Sequence, residues 1–151
     1  MNDYPNRPLI GVGVIVLKGA PGDERVLLIR RGKPPRQGQW SLPGGRQRLG
    51  EKVRDTARRE VREETDCEVE VTELLDVIDS ITRDGDGQPQ YHYTLVDFLA
   101  EWRGGEACAA GDAADCVWAD PNDLESYDLW DETVRMIRLG MERRHTCPGG
   151  A

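Results

Sequence analysis

The chain has 151 residues, 38% of them hydrophobic and 32% charged, with a formal net charge of −8. A chain of this length is expected to form one domain with a core that needs no staples. The acidic balance argues against a nucleic-acid polymer as partner. No apolar run is long enough to span a membrane, so the chain reads as a soluble, cytoplasmic protein without a membrane partner. Cys67, Cys108, Cys116 and Cys147 are scattered with no CxxC pair, and only His92 and His145 are available to join them. That spacing excludes a zinc site and suits free thiols in a reducing compartment.

In chain order, residues 1–8 are polar and proline-punctuated, and are expected to be flexible. Leu9 to Leu17 (LIGVGVIVL) is β-branched and nearly continuous in apolar residues, which predicts a strand buried on both faces. Turn residues Pro21-Gly22-Asp23 lead to a returning strand from Arg25 to Arg30. Arg30, Arg31, Lys33 and Arg36 follow in a Pro- and Gly-rich stretch where a loop can carry function. From Arg30 to Arg59 there are ten Lys or Arg against two acids, half of the 20 basic residues of the chain. An anion site on an acidic protein is the simplest reading. For Lys52, Arg54, Arg58 and Arg62 a solvated helix face is preferred.

Trp40-Ser41-Leu42 precedes Pro43-Gly44-Gly45, whose glycines let backbone approach a ligand closely. From about Glu51 to Thr65 the pattern turns helical, with Val53, Ala57 and Val61 as the buried stripe. Glu60 and Glu64 fall beside that stripe, whereas Arg58 and Arg62 point away. Glu68–Val71 and Leu74–Ile81 predict one or two strands, Arg83–Gln90 a loop, and Tyr91–Trp102 the clearest later strand. Gly104–Ala114 reads as a flexible segment and Cys116–Ala119 as a last strand. Asp120-Pro121 reads as a helix N-cap with proline behind it. Leu129–Arg144 predicts an amphipathic helix with Met136, Ile137 and Met141 in its core face. A single domain over 9–145 and a disordered tail over 146–151 complete the reading.

Glu60, Glu63 and Glu64 recur at spacings of three and four, so they are neighbours on one helix surface and repel. A hard divalent cation such as Mg²⁺ converts that repulsion into binding, since it accepts carboxylates together with substrate phosphates. With a glycine-rich turn and a basic loop alongside, the set suits metal-assisted attack on a phosphate anhydride, one glutamate serving as base for the water. A merely solvated acidic helix has the same spacing.

With its spacings, the segment is Gly45, five residues, Glu51, seven residues, then Arg59-Glu60-Val61-Arg62-Glu63-Glu64-Thr65-Asp66-Cys67. It closely resembles the signature of the Nudix hydrolase family, and the upstream hairpin, Trp40–Gly45, the later strands and the C-terminal helix are similar too. The resemblance implies an α/β fold, the Nudix α/β/α sandwich with a mixed central sheet and a loop-helix-loop. It also implies hydrolysis of a nucleoside diphosphate linked to another group X, with Mg²⁺ or Mn²⁺. By the same resemblance Glu60 and Glu64 match the principal metal ligands, with the Gly44 carbonyl and Glu63 contributing. Arg59 and Glu51 match the pair that braces the loop-helix-loop, and Glu63 is the base in some members. An acid beyond the last long strand often completes the site; Asp112 and Asp115 are the candidates, Asp112 preferred. Asp66 stands where the family usually has glycine, at a cost of roughly 1 kcal/mol if it must turn left-handed.

For the substrate, a small nucleotide, the layout is similar to enzymes described as ADP-ribose pyrophosphatases, including Tyr91-His92-Tyr93. The proline many of them carry about sixteen residues past the box is replaced by Thr82, Arg83 and Asp84, and Pro89 lies too far on. Their larger members carry an N-terminal dimerisation domain that this chain lacks, so a homodimer here, left open, is built differently. The rivals are a MutT-type enzyme removing pyrophosphate from an oxidised nucleoside triphosphate and a non-catalytic nucleotide-sensing module. Arg30, Arg31 and Gly45 are expected at the substrate's phosphates. Trp40, Tyr91, Tyr93 and Trp118 can stack on a base, Trp40 and Tyr93 being the first choices.

Overall fold

The computed structural model describes residues 4–34, 36–107 and 110–146. β1 (Leu9–Lys18) forms the centre of the fold. Its alternation sends Val12, Val14 and Val16 to one face and Ile15 and Leu17 to the other, each set fully or almost fully buried. Helix α1 (Val53–Thr65) covers the first face through Ala57 and Val61. Helix α2 (Asp131–Thr146) covers the second through Met136 and Ile137. A sheet with an apolar stripe of helix against each side is the three-layer solution to burying both faces.

β1 runs parallel to β6 (Pro89–Gly104) and antiparallel to β2 (Arg25–Arg31) and β4 (Gly44–Arg46). β5 (Glu68–Arg83) pairs with β6 at one end of the sheet, while β2 also pairs with β3 (Trp40–Ser41) and β7 (Ala113–Ala119). The sheet is therefore mixed, with β1–β6 as the parallel pair.

Several sequence boundaries shift. Glu68–Ile81 is one strand, not two, because irregularities at Val71/Glu73 and Leu74/Asp76 absorb the break in alternation. Helix α1 begins at Val53, which leaves Glu51 in the loop ahead of it. Asp120-Pro121 does not open a helix. The Asp120 carboxylate accepts from Asn122 N–H at 2.9 Å, closing a local turn, and the helix waits until Trp130, whose carbonyl accepts from Thr133 and Val134. Helix α2 runs through Thr146, into the span expected to be tail; residues 147–151 lie outside the described residues. Asp66 is left-handed (φ 60°), and its N–H closes the helix on the Arg62 carbonyl at 2.9 Å. Cys67 is a buried free thiol and Cys116 is half-buried, while Cys108 and Cys147 lie outside the described residues. Among the described residues no helix is long and apolar enough to cross a membrane.

Candidate active site

The loop after β4 is clamped to α1 by one arginine. Arg59 donates to both oxygens of Glu51, at 2.7 and 2.9 Å, and also to Glu60 at 2.7 Å, Glu63 at 3.2 Å and the Arg46 carbonyl at 3.1 Å. Glu51 further accepts from Thr56 Oγ1 and from Arg48 N–H. The bidentate Arg59 pair, then the Thr56 hydroxyl, hold the Glu51 carboxyl down at about 2. Glu51 and Arg59 thus brace the loop against the helix.

Glu64 is buried at 7% exposure, and its carboxylate accepts from Gly44 N–H at 2.7 Å. Burial pushes its pKa up to about 8; the Gly44 N–H opposes the shift, and nearby Glu60 and Asp112 add to it. Glu60 is also raised, by burial first, with Arg59 opposing. Gly45 makes room for Glu60: a Cβ there would lie 2.4 Å from the Glu60 carboxyl carbon. At Gly44 a Cβ would lie 2.0 Å from the Val12 carbonyl oxygen, so both glycines are needed for close approach. Glu63 is half exposed and meets Arg48 and Arg59.

Asp112 is brought alongside. Ala110 N–H donates to the Glu64 carbonyl at 3.0 Å, and Gly32 N–H donates to the Asp112 carbonyl at 2.9 Å, which ties the 110–112 turn to the end of α1 and to β2. The Asp112 side chain is exposed and pairs with Lys33 at 2.9 Å. Asp115, the other candidate, sits within β7 opposite Arg30 and accepts from Cys116 N–H, outside the cleft.

These groups open onto one cleft of about 1030 Å³, lined by Gly44, Gly45, Arg59, Glu60, Glu63, Glu64, Asp112, Arg31, Trp40 and Tyr93 among others. Arg30 is exposed, lies outside that lining, and stacks its guanidinium 6.0 Å from the Trp40 ring. Glu51 stands behind the cleft, holding Arg59. Trp118 is taken up by Lys18, whose ammonium lies 4.2 Å from its ring, and does not line the cleft. Arg58 and Arg62 are exposed, and Arg62 pairs with Glu68.

Of the cleft floor, the sequence pointed only to Tyr91 and Tyr93. The floor is the α2-side face of the sheet beyond the reach of α2: Leu9, Gly11 and Gly13 on β1, Tyr91, Tyr93, Leu95 and Asp97 on β6, Ser80 and Thr82 on β5. Arg36 and Trp130 stand over it, guanidinium 5.4 Å from ring. For the rest the one signal available was Asp97, an acid inside the most apolar later strand.

Among the described residues no three His, Cys, Asp or Glu side chains are already gathered in metal-ligand geometry. Glu60 and Glu63 are turned onto Arg59, and Asp112 onto Lys33. The donor set nonetheless fits a hard divalent cation. It is all oxygen, and burial of its least exposed member, Glu64, pushes that carboxyl up to about 8 even with Arg31 opposing, a shift that a cation's charge would reverse.

The comparisons with known proteins show the family and the fold. A NUDIX domain model matches residues 7–139. ADP-ribose pyrophosphatase of Methanocaldococcus jannaschii is 36% identical over 127 residues, 84% of this chain and 70% of that protein. Nucleoside triphosphatase NudI of Escherichia coli is 32% identical over 109 residues, 68% of this chain and 76% of that protein. The crystal structure of a MutT NUDIX hydrolase from Burkholderia pseudomallei superposes with a TM-score of 0.73 at 29% identity, covering 91% of this chain and 98% of that one. Matched along most of its length and folded in the same way, the chain belongs to the Nudix hydrolase family of pyrophosphohydrolases.

Proposed function

We propose that this enzyme hydrolyses the pyrophosphate bond of a nucleoside diphosphate linked to X, with ADP-ribose or a related nucleotide sugar as substrate class and Mg²⁺ or Mn²⁺ as cofactor. The observation that carries the reading is the continuity of the cleft from the Glu60–Glu63–Glu64 carboxylates to an aromatic sheet face. Tyr93 lies four residues along β6 from Asp97, which is level with Gly13 and hence with Gly44. At about 3.3 Å per residue that is roughly 13 Å, room for a diphosphate at one end and a base or sugar at the other. The relative at 36% identity named ADP-ribose pyrophosphatase supports the same substrate class.

Nudix hydrolases generally use divalent metals. In this chain Glu60, Glu64 and the Gly44 carbonyl, with Glu63 and Asp112, are the residues to hold the ion. Bound there, it supplies charge neutralisation for the phosphate oxygens and lowers the pKa of a water. Arg59, fixed by Glu51, keeps Glu60 and Glu63 in place. Glu63, the most exposed of the three glutamates, is the candidate to take the water's proton. Arg31 and the Gly45 backbone hold phosphate; Trp40 and Tyr93 pack against the organic part of the substrate.

The test is a phosphate-release screen with Mg²⁺ and Mn²⁺ over ADP-ribose, nucleotide sugars, dinucleotides and oxidised triphosphates, with a phosphatase to reveal the products. Preference for ADP-ribose or a nucleotide sugar is the expected result. Preference for oxidised triphosphates would make the enzyme a nucleotide sanitiser, and turnover of none would make it a binding module.

A further inference from the structure

One acid on the cleft floor is left unused by these roles. Asp97 sits on β6 opposite Gly13 on one side and Asp76 on the other. It is 4% exposed, yet among the described residues no buried side-chain oxygen lacks a partner. The Gly13 N–H is its hydrogen-bonding neighbour, and Arg135 acts on it only through space. The residue lines the cleft, so a group bound there can reach its carboxyl. Position 13 is shaped for it: a Cβ there would lie 2.4 Å from Asp97 Oδ1.

A buried carboxyl without an ion-pair partner weakens a fold, so its presence at a cleft floor points to a use. Burial first, then the charge of Asp76, push its pKa up to about 6, and Glu132 adds to the effect. An acidic floor repels phosphate and welcomes N–H or O–H donors. Gly13 pairs with both Gly44 and Asp97, so two strand spacings, roughly 10 Å, separate Asp97 from the Gly44 backbone at the carboxylate site. That sets it to the side of a diphosphate lying at the glutamates, within reach of a base or sugar attached to that diphosphate.

We propose that Asp97 is a specificity residue that accepts a hydrogen bond from a neutral amino or hydroxyl group of the substrate's base or sugars. This rests on the nucleoside diphosphate reading above. Three analogues of ADP-ribose separate the sources of that group: the hypoxanthine analogue, which lacks the base amine; the 2′-deoxyadenosine analogue; and adenosine methyl diphosphate, which lacks the distal sugar. Wild type, Asp97→Asn and Asp97→Leu are compared for kcat and KM with Mg²⁺, for calorimetric binding of methylene-bridged, non-hydrolysable forms of the same compounds, and for Tm.

The wild type is expected to disfavour one analogue by at least about tenfold, the scale of a lost hydrogen bond to a charged group. Asp97→Leu is expected to level that analogue with ADP-ribose, chiefly through KM and binding, while its Tm does not fall. Ratios unchanged in Asp97→Leu, no discrimination by wild type, binding of none of the compounds, or a Tm lowered in both variants would overturn the assignment. Discriminating binding without hydrolysis would instead remove the proposed activity and leave Asp97 standing. Hydrolysis with ratios unmoved by the variants would do the reverse.

Discussion

Glu64→Gln removes one charge from the most buried carboxylate of the site while leaving an oxygen to accept from Gly44 N–H, now 2.7 Å away. In metal-free protein the Glu64 carboxyl is raised from 4.5 to about 8, mainly by burial. An acid whose folded pKa exceeds its unfolded value binds more protons when folded, so its contribution to stability is lost as pH rises through the window between the two. The slope is about 1.4 kcal/mol per pH unit for one full proton. Across the window from 4.5 to about 8 this comes to a few kcal/mol, an order of magnitude only, since Glu60 and Asp112 share the same field. Urea denaturation in chelator from pH 5 to 9 should show Glu64→Gln gaining on wild type as pH climbs, then levelling above about 8. Mg²⁺ should stabilise wild type at pH 8 and have much less effect on the variant, whose kcat should fall by orders of magnitude. A variant less stable than wild type at pH 8 without metal, or one with near-normal turnover at saturating Mg²⁺, would refute the reasoning.

Gly45→Ala forces a Cβ to 2.4 Å from the Glu60 carboxyl carbon and should lower kcat at least about tenfold, at a stability cost of roughly 1–3 kcal/mol; unchanged kcat would show that Glu60 can move freely. Arg31→Glu should raise KM several-fold in steady-state kinetics, whereas Arg30→Glu, outside the cleft, should not; equal effects would contradict this placement. Asp66→Gly relieves a left-handed aspartate and should raise unfolding free energy by up to about 1 kcal/mol with activity unchanged, and a loss of stability would show that the Asp66 side chain matters. Glu51 has its carboxyl lowered to about 2, so its stabilisation is present above about 4.5 and lost as pH falls toward 2; Glu51→Gln should flatten acid unfolding in that window, and a curve unchanged from wild type would detach Glu51 from the fold.

What the sequence showed well was local. The period of Val53, Ala57 and Val61 located α1 and put Glu60 and Glu64 at the edge of its buried stripe, because a helix fixes its neighbours within two turns. The hairpin of β1 and β2 was equally legible from its turn. Apart from Tyr91 and Tyr93 the cleft floor was not, because it depends on the parallel pairing of β1 with β6, strands some eighty residues apart, and on which alternate residues lie beyond the end of α2. Arg31 and Arg30 are adjacent on β2, and strand alternation puts Arg31 with Ile29 in the cleft lining and leaves Arg30 out of it, which the sequence shows only once it is known which face of β2 the cleft lies on. The sequence favours Asp112 over Asp115 only weakly; β7 begins at Ala113, between them, and leaves Asp112 in the turn that lines the cleft and Asp115 within the strand. Asp120-Pro121 carries a genuine turn signal, but the helix expected beyond it starts only at Asp131, just ahead of the apolar face that Val134 and Met136 turn to the core.

The most direct measurement is mass-spectrometric identification of products from ADP-ribose and Mg²⁺, for wild type, Glu60→Gln and Glu64→Gln. Cleavage at the pyrophosphate by wild type, giving AMP and ribose phosphate, and its collapse in both variants is the predicted result. Release of free adenine, or pyrophosphate cleavage undiminished in Glu64→Gln, would contradict it.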